Sequence, residues 1–519
     1  MKKTRLVWLP LVIVALLVMS ATAAEKADAG KAKAEKAEKG KASKEAKKQA
    51  KAEKAKAAKE KKMAQAEAKK DAKAGEEKPA CPVWSDLCKA LDRINFRYGA
   101  DERVRQEYFD NIPVRADPPG ITRGGRNNYF RFRTRVWGEM DPVEDLTLRA
   151  RLVNETREWE HPDVSARPQR STYEWSDEWV FDNLYLDLRN LAKDRLDLRV
   201  GRQDLIYGTG KVLLEGTPKD GSRTIYFNAA KATWKGVKDT TVDVLGIYND
   251  SLDELALDDA DRDLTGVTPA NDDITESGGG VYIRNQSYPE MPYEVYALYN
   301  NESEWYSGPA TNRAFHDELD LGTVGVRLMP KFSERLGGGL ELAYQFGNRG
   351  DQDVRGLMAD LFMTYQAPIL KDLKPAVEYG VYFLSGDDPA TADDEGWNPL
   401  WARYPQFSEL YVYAFDTEAA GRWQNVAMPR ASLSLQATPW LKTTALAGYL
   451  LAPEENGPGG GNERGLLGVL KGEFKIGEGL LAKRDKLAGH LWLEVFEPGD
   501  YYQVDETAVF ARWELMYTF

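Results

Sequence analysis

The stretch "YFRFRTRVW", residues 129–137, decides how the chain is read. With a period of two, Phe130, Phe132, Thr134 and Val136 fall on one side and Arg131, Arg133 and Arg135 on the other. Side chains alternate across a strand, so this segment has an oily face and a face of three like charges. Like charges stacked in one column repel. The arginine face therefore needs water, carboxylates or a ligand, while the other face suits lipid.

The pattern repeats outward from there. From residue 94 to the C-terminus, segments of about 9–12 residues alternate apolar and polar, the mark of membrane-spanning β-strands. Eighteen are expected, at 96–109, 128–139, 146–155, 181–190, 195–203, 223–234, 241–249, 279–286, 293–300, 318–328, 338–347, 356–366, 375–384, 426–437, 443–451, 464–475, 487–496 and 508–519. Short links such as "DPVED" (141–145) alternate with long ones such as 156–180. Short periplasmic turns and long extracellular loops give this rhythm. A piece of the longest link, "ELYVYAF" (409–415), also alternates, but counting it as a strand would invert the rhythm, so it is assigned to the loop. The expected fold is all-β, a transmembrane antiparallel barrel of about 18 strands. The last strand, "VFARWELMYTF", ends in Phe519 and sets Trp513 and Tyr517 on its outer row, where amphipathic rings suit the membrane interface.

Placing the apolar row toward lipid fixes the other row toward the lumen. That row holds Arg103 and Arg105 with Glu107 on the first strand, then Arg131, Arg133 and Arg135. Arg149, Arg151 and Glu155 follow, then Tyr185, Asp187 and Arg189, then Asp197 and Arg199. Arg512 and Glu514 on the last strand return beside the first, because a barrel closes. A charge on the lipid face costs roughly 2–4 kcal/mol near the midplane, which forces these arginines inward. A basic wall of this kind selects anions; the alternative is an Arg/Glu ladder that neutralises itself. The expected partners are anionic solutes, together with outer-membrane lipid and lipopolysaccharide.

The N-terminus has a different character. Residues 1–23 combine Lys2, Lys3 and Arg5 with an apolar run and small residues, as in a secretory signal peptide. Residues 24–80 form an Ala/Lys/Glu-rich low-complexity extension, helical or disordered, and 81–93 a short segment before the barrel at 94–519. Residues 25–79 carry 19 Lys against 11 acidic residues, which leaves 80–519 at a net −23. The extension is read as periplasmic, a solvated tail or a basic arm for peptidoglycan or a periplasmic scaffold protein. Cys81 and Cys88 either pair in an oxidising compartment or stay as two thiols. No nucleic-acid partner is read, and a closed barrel without free edges is expected to be a monomer.

Three stretches carry a family resemblance. "LRVGRQDLIYGTGKVLLEG" (198–216), with Gly201, Arg202, Gln203, Tyr207 and Gly208, resembles the alginate export family of outer-membrane proteins. "RYGADERVRQEYFDN" (97–111) is similar to that family's first strand, and "LSGDDPATADDEGWNPLWARYPQF" (384–407) to its long loop. The resemblance implies an eighteen-stranded barrel passing an acidic exopolysaccharide through an arginine-lined constriction. The extension departs from that family's usual compact start. Two other functions fit the same residues: a nutrient porin for small sugar acids, and an anchor joining outer membrane to peptidoglycan.

Other signals are weaker. Loop 385–425, with Asp387, Asp388, Trp397 and Trp401, is long enough to fold over the mouth as a gate or to cap the surface. Asp259, Asp261 and Asp263 imitate the start of a calcium loop, but Leu264 stands where glycine is needed and Ala270 where glutamate is. No metal site or cofactor is read. The three histidines, His161, His316 and His490, assemble no catalytic constellation, so no enzyme is expected.

Overall fold

A computed structural model of the chain describes residues 94–112, 125–161, 173–174, 178–215, 226–250, 255, 257, 275–307, 314–402, 406–411 and 424–519. The signal peptide, the extension, Cys81, Cys88 and the aspartates at 259–263 lie outside the described residues.

Eighteen strands form one barrel: β1 (Asn95–Asp110), β2 (Asn127–Val143), β3 (Leu146–His161), β4 (Trp179–Asn190), β5 (Leu196–Gln203), β6 (Phe227–Trp234), β7 (Thr240–Asn249), β8 (Glu276–Asn285), β9 (Tyr293–Glu302), β10 (Leu319–Leu328), β11 (Leu336–Arg349), β12 (Gln352–Gln366), β13 (Ala376–Leu384), β14 (Val426–Thr438), β15 (Leu441–Leu451), β16 (Glu463–Glu478), β17 (Lys486–Pro498) and β18 (Ala508–Thr518). Each pairs antiparallel with the next, and β18 pairs with β1, with Thr518 opposite Asp101. Closure leaves no unpaired edge, which lipid requires because it cannot hydrogen-bond a free backbone group. Among the described residues no helix is long and apolar enough to cross a membrane.

The phase of every strand follows the outer apolar row. Val136, Leu148, Leu184, Val244, Leu361, Leu491 and Leu493 stand exposed on the outside. Phe96, Tyr98, Trp234, Tyr288, Phe332, Trp440 and Phe519 form an exposed aromatic girdle at the end that bears the short turns. At that end Asp485 accepts amide hydrogens from Leu480 and Ala482 and a hydroxyl from Tyr517, tying the turn 479–485 to the last strand.

Two expectations about length are corrected. The links at the opposite end are long except one: β11 and β12 join through Gly350 and Asp351 alone, where the alternation suggested a longer loop. Gly350 sits at φ +56°, the left-handed conformation that such a tight turn requires. β3 runs on to His161, six residues past the expected end, because Arg157 and Trp159 continue its inner row. By contrast β5 and β6 have only eight residues each, against 16 or 17 in β1 to β3.

Candidate functional site: a charged lumen crossed by two segments

The inner rows of β1 to β5 and β18 hold the arginines read from the sequence, each with a carboxylate or hydroxyl partner. Glu107 takes three: Arg105 at 3.1 Å, Arg131 at 3.3 Å, and Arg512. Glu155 joins Arg103 at 3.2 Å to Arg131 at 2.8 Å. Asp101 serves Arg133 at 2.9 Å and Arg135 at 2.8 Å. Glu514 lies 3.8 Å from Arg103 and 3.6 Å from Arg105. Arg149 pairs with Glu139, and Arg199 meets Asp187 at 2.7 Å while stacking on Tyr185. Arg189, near the short-turn end, donates to the Thr147 hydroxyl at 2.9 Å.

Fork-shaped guanidiniums sharing carboxylates make a ladder whose members hold one another in place. Nine of the ten arginines share nine carboxylates among the described residues, and Arg189 meets a hydroxyl, so the expected excess of positive charge on this wall is largely offset. The strand pattern hid this because Asp182 sits across a β-bulge in the β3–β4 pairing, and Asp204 and Glu409 come from links rather than strands.

The link after β5 turns into the barrel instead of away from it. Just before that turn, within β5, Gly201 stands at φ +124°; a Cβ there would stand 2.3 Å from the Leu184 carbonyl oxygen. Arg202 is buried, donating to Asn228 and to the Phe181 carbonyl, and the Gln203 amide donates to Ala229. Asp204 then meets Arg151 at 3.0 Å, with Asp182 on the other side of that guanidinium at 2.7 Å. Burial pushes the Asp204 carboxyl above its ordinary range, against the pull of Arg151. Tyr207 donates to Asp243 at 2.9 Å and packs on Tyr282, which stacks on Tyr296 with rings 5.3 Å apart. Gly208 follows against Tyr282 at φ +57°. Lys211 reaches Asp360 at 2.9 Å and Glu341 at 3.6 Å, on the inner rows of β11 and β12. So residues 204–215 of the stretch quoted for the family resemblance form a lumen crossing that runs from the arginine wall to the opposite one. Gly201→Ala is expected to cost about 1–3 kcal/mol through backbone strain, and to lower the yield of heat-modifiable folded barrel on semi-native gels.

A second crossing comes from the long link between β13 and β14. Its start is held by local bonds: Asp387 accepts the Glu395 amide and Asp388 the Ala390 amide. Trp397 and Trp401 are fully buried, and Trp401–Ala402 pairs in parallel with Leu213–Glu215 of the first crossing, which pairs in turn with Leu205–Ile206. Phe407 packs on Tyr382 and under the Arg430 guanidinium. Glu494 on β17 accepts from the Ser408 hydroxyl, the Glu409 amide at 2.8 Å and the Leu410 amide at 3.3 Å. Glu409 itself reaches Arg512 at 2.6 Å. The expected lid over the mouth is thus an insert within it. Residues 412–415 of "ELYVYAF" lie outside the described residues, and 409–411 belong to the insert.

Sequence reading missed Arg430, Glu341, Asp360 and Glu494, since single charges on otherwise ordinary strands carry no local signal, and Lys211, a single charge in a link. A clue to the inserts was present: Trp397, Trp401, Phe407 and Tyr411 are too many rings for a solvated loop. His490 is a lone inward residue with Nδ1 3.5 Å from Glu514, and no metal-holding cluster occurs among the described residues.

No family model and no curated protein sequence matches the chain, so the alginate-export resemblance has no counterpart there. Solved structures do match. The outer membrane protein OpdK from Pseudomonas aeruginosa is similar at a TM-score of 0.52 and 9% identity, covering 82% of this chain and 98% of that one. OpdK with vanillate gives 0.51 at 9% identity, over 81% and 98%. Acinetobacter baumannii OccAB4 gives 0.50 at 12%, over 82% and 98%. At such identities the likeness is one of fold, and what this chain shares with these proteins is the closed antiparallel barrel of the outer-membrane type.

Proposed function

We propose that the protein is an outer-membrane channel for small anionic solutes, with carboxylates such as sugar acids or aromatic acids as the favoured class. The observation that carries this is the tie between each lumen insert and the arginine ladder: Asp204 on Arg151 and Glu409 on Arg512. A guanidinium is weakly hydrated and exchanges carboxylate partners readily. A solute carboxylate entering the lumen competes for those forks and passes from one to the next. The OpdK structure with vanillate, itself a carboxylate, leads the same way.

The alginate-like polymer reading uses the same ladder but fits less well. A polymer threads the pore continuously, so both inserts would have to stay displaced from their buried partners throughout transport. A small solute needs only local exchange.

Reversal potentials across a salt gradient in planar bilayers test the proposal. Chloride is expected to permeate faster than potassium. Arg149→Gln with Arg199→Gln, both partly open to the lumen, is expected to lower that ratio. Cation selectivity in the unmutated protein would overturn the reading.

A further inference from the structure

Most inward-facing cations in the lumen meet a carboxylate, but two that border a cavity do not. We infer that Lys442 and Lys475 form a second anion site, for small organic carboxylates, at the short-turn end of the lumen beneath β14 to β18. The inference rests on the channel reading above and assigns it a distinct station.

A cavity of about 470 Å³ lies there, bordered by Gln436, Trp440, Lys442, Glu473, Lys475 and His490. The phase of the strands points Gln436, Lys442, Glu473, Lys475 and His490 inward, and Trp440 borders the cavity from the turn between β14 and β15. On β16 the even positions Leu470, Phe474 and Ile476 form the lipid row, leaving Lys471, Glu473 and Lys475 for the lumen. On β15 the buried Leu450 fixes the even row inward, which includes Lys442.

The charge balance differs from that of the arginine wall. Lys471 is 3.4 Å from Glu473 and lies 4.6 Å above the Trp492 ring. Lys442 and Lys475 have no ion pair among the described residues, although Lys442 stands opposite Glu473 in the β15–β16 register. One carboxylate therefore faces three ammonium groups. Glu514 at the back of the cavity is engaged by Arg103, Arg105 and His490. A recess with an uncompensated charge of one sign, walled by protein, concentrates counter-ions. Hydroxyls are close by: Ser434 and Thr444 bond to each other at 2.9 Å on the inner rows of β14 and β15. They and the Gln436 amide suit the hydroxylated body of a sugar acid, with its carboxylate between the two lysines.

The test is single-channel recording in potassium chloride with potassium gluconate added to one side. Gluconate on the short-turn side is expected to interrupt the chloride current in a concentration-dependent way, and sorbitol of similar size to leave it unchanged. Lys442→Gln with Lys475→Gln is expected to raise the blocking concentration roughly tenfold, the weight of about 1.4 kcal/mol of lost attraction. Lys442→Arg with Lys475→Arg is expected to preserve the block. No gluconate block in the unmutated channel, equal block from either side, or an unchanged blocking concentration in the glutamine pair would overturn the site. Each of those outcomes leaves anion selectivity, read from the reversal potential, standing or falling on its own.

Discussion

Glu107→Leu lowers the unfolding free energy of the barrel by about 3–5 kcal/mol, the cost of breaking a buried ion pair from one side. Glu107 is 1% exposed and is the shared partner of Arg105, Arg131 and Arg512, which come from three adjoining strands across the barrel seam. Leucine supplies apolar volume but leaves three buried guanidiniums facing one another with fewer counter-charges. Glu155 is already shared between Arg103 and Arg131, and Glu514 between Arg103 and Arg105, so neither replaces the lost charge in full, and Arg512 keeps Glu409 as its counter-charge. The damage falls where β18 must dock on β1 to close the ring. Urea titration of the folded barrel in lipid vesicles, followed by tryptophan fluorescence, measures it. Glu107→Gln, which keeps the shape and two hydrogen-bonding groups, is expected to lose less. A Glu107→Leu barrel within about 1 kcal/mol of the original would show that lumen water, rather than Glu107, stabilises these arginines.

Glu494→Leu combined with Lys211→Met raises single-channel conductance several-fold. Glu494 holds the insert at 408–410 through one hydroxyl and two amides, and is fully buried beneath it. Lys211 pins the other insert to Asp360 and Glu341. The inserts brace each other through the short sheet at 401–402 and 213–215, so loosening both anchors removes more obstruction than either alone. Bilayer recording of the two single variants and the double gives a cycle with a coupling term. Conductance equal to that of the unmutated channel in the double variant would mean that these anchors do not set the bore.

The barrel was legible in the sequence because lipid enforces a strict period of two. Arg131, Arg133 and Arg135 could face only one way once Phe130, Phe132 and Val136 faced the other, and the eighteen segments follow that rule outside a few bulges such as the one at Asp182. What lay beyond it was whatever no period governs. The pairing of Arg512 with Glu409 spans 103 residues, and that of Arg512 with Glu107 spans 405. Neither leaves a mark in local sequence. The inserts were hidden for a related reason. Part of their backbone bonding goes to inward side chains such as Gln345 and Glu494, and their own strands are only two or three residues long, too short to show a period.

The unequal strands have a consequence for the membrane itself. A strand of eight residues rising about 3.3 Å each and tilted by about 40° climbs only roughly 20 Å, less than the apolar band of about 25 Å typical of such barrels. β5 and β6 are that short, while β1 to β3 overreach it. Lipids around the protein thus meet a tall flank and a low one. Beside β5 and β6 the bilayer is expected to thin by a few ångströms, a mismatch confined to that flank.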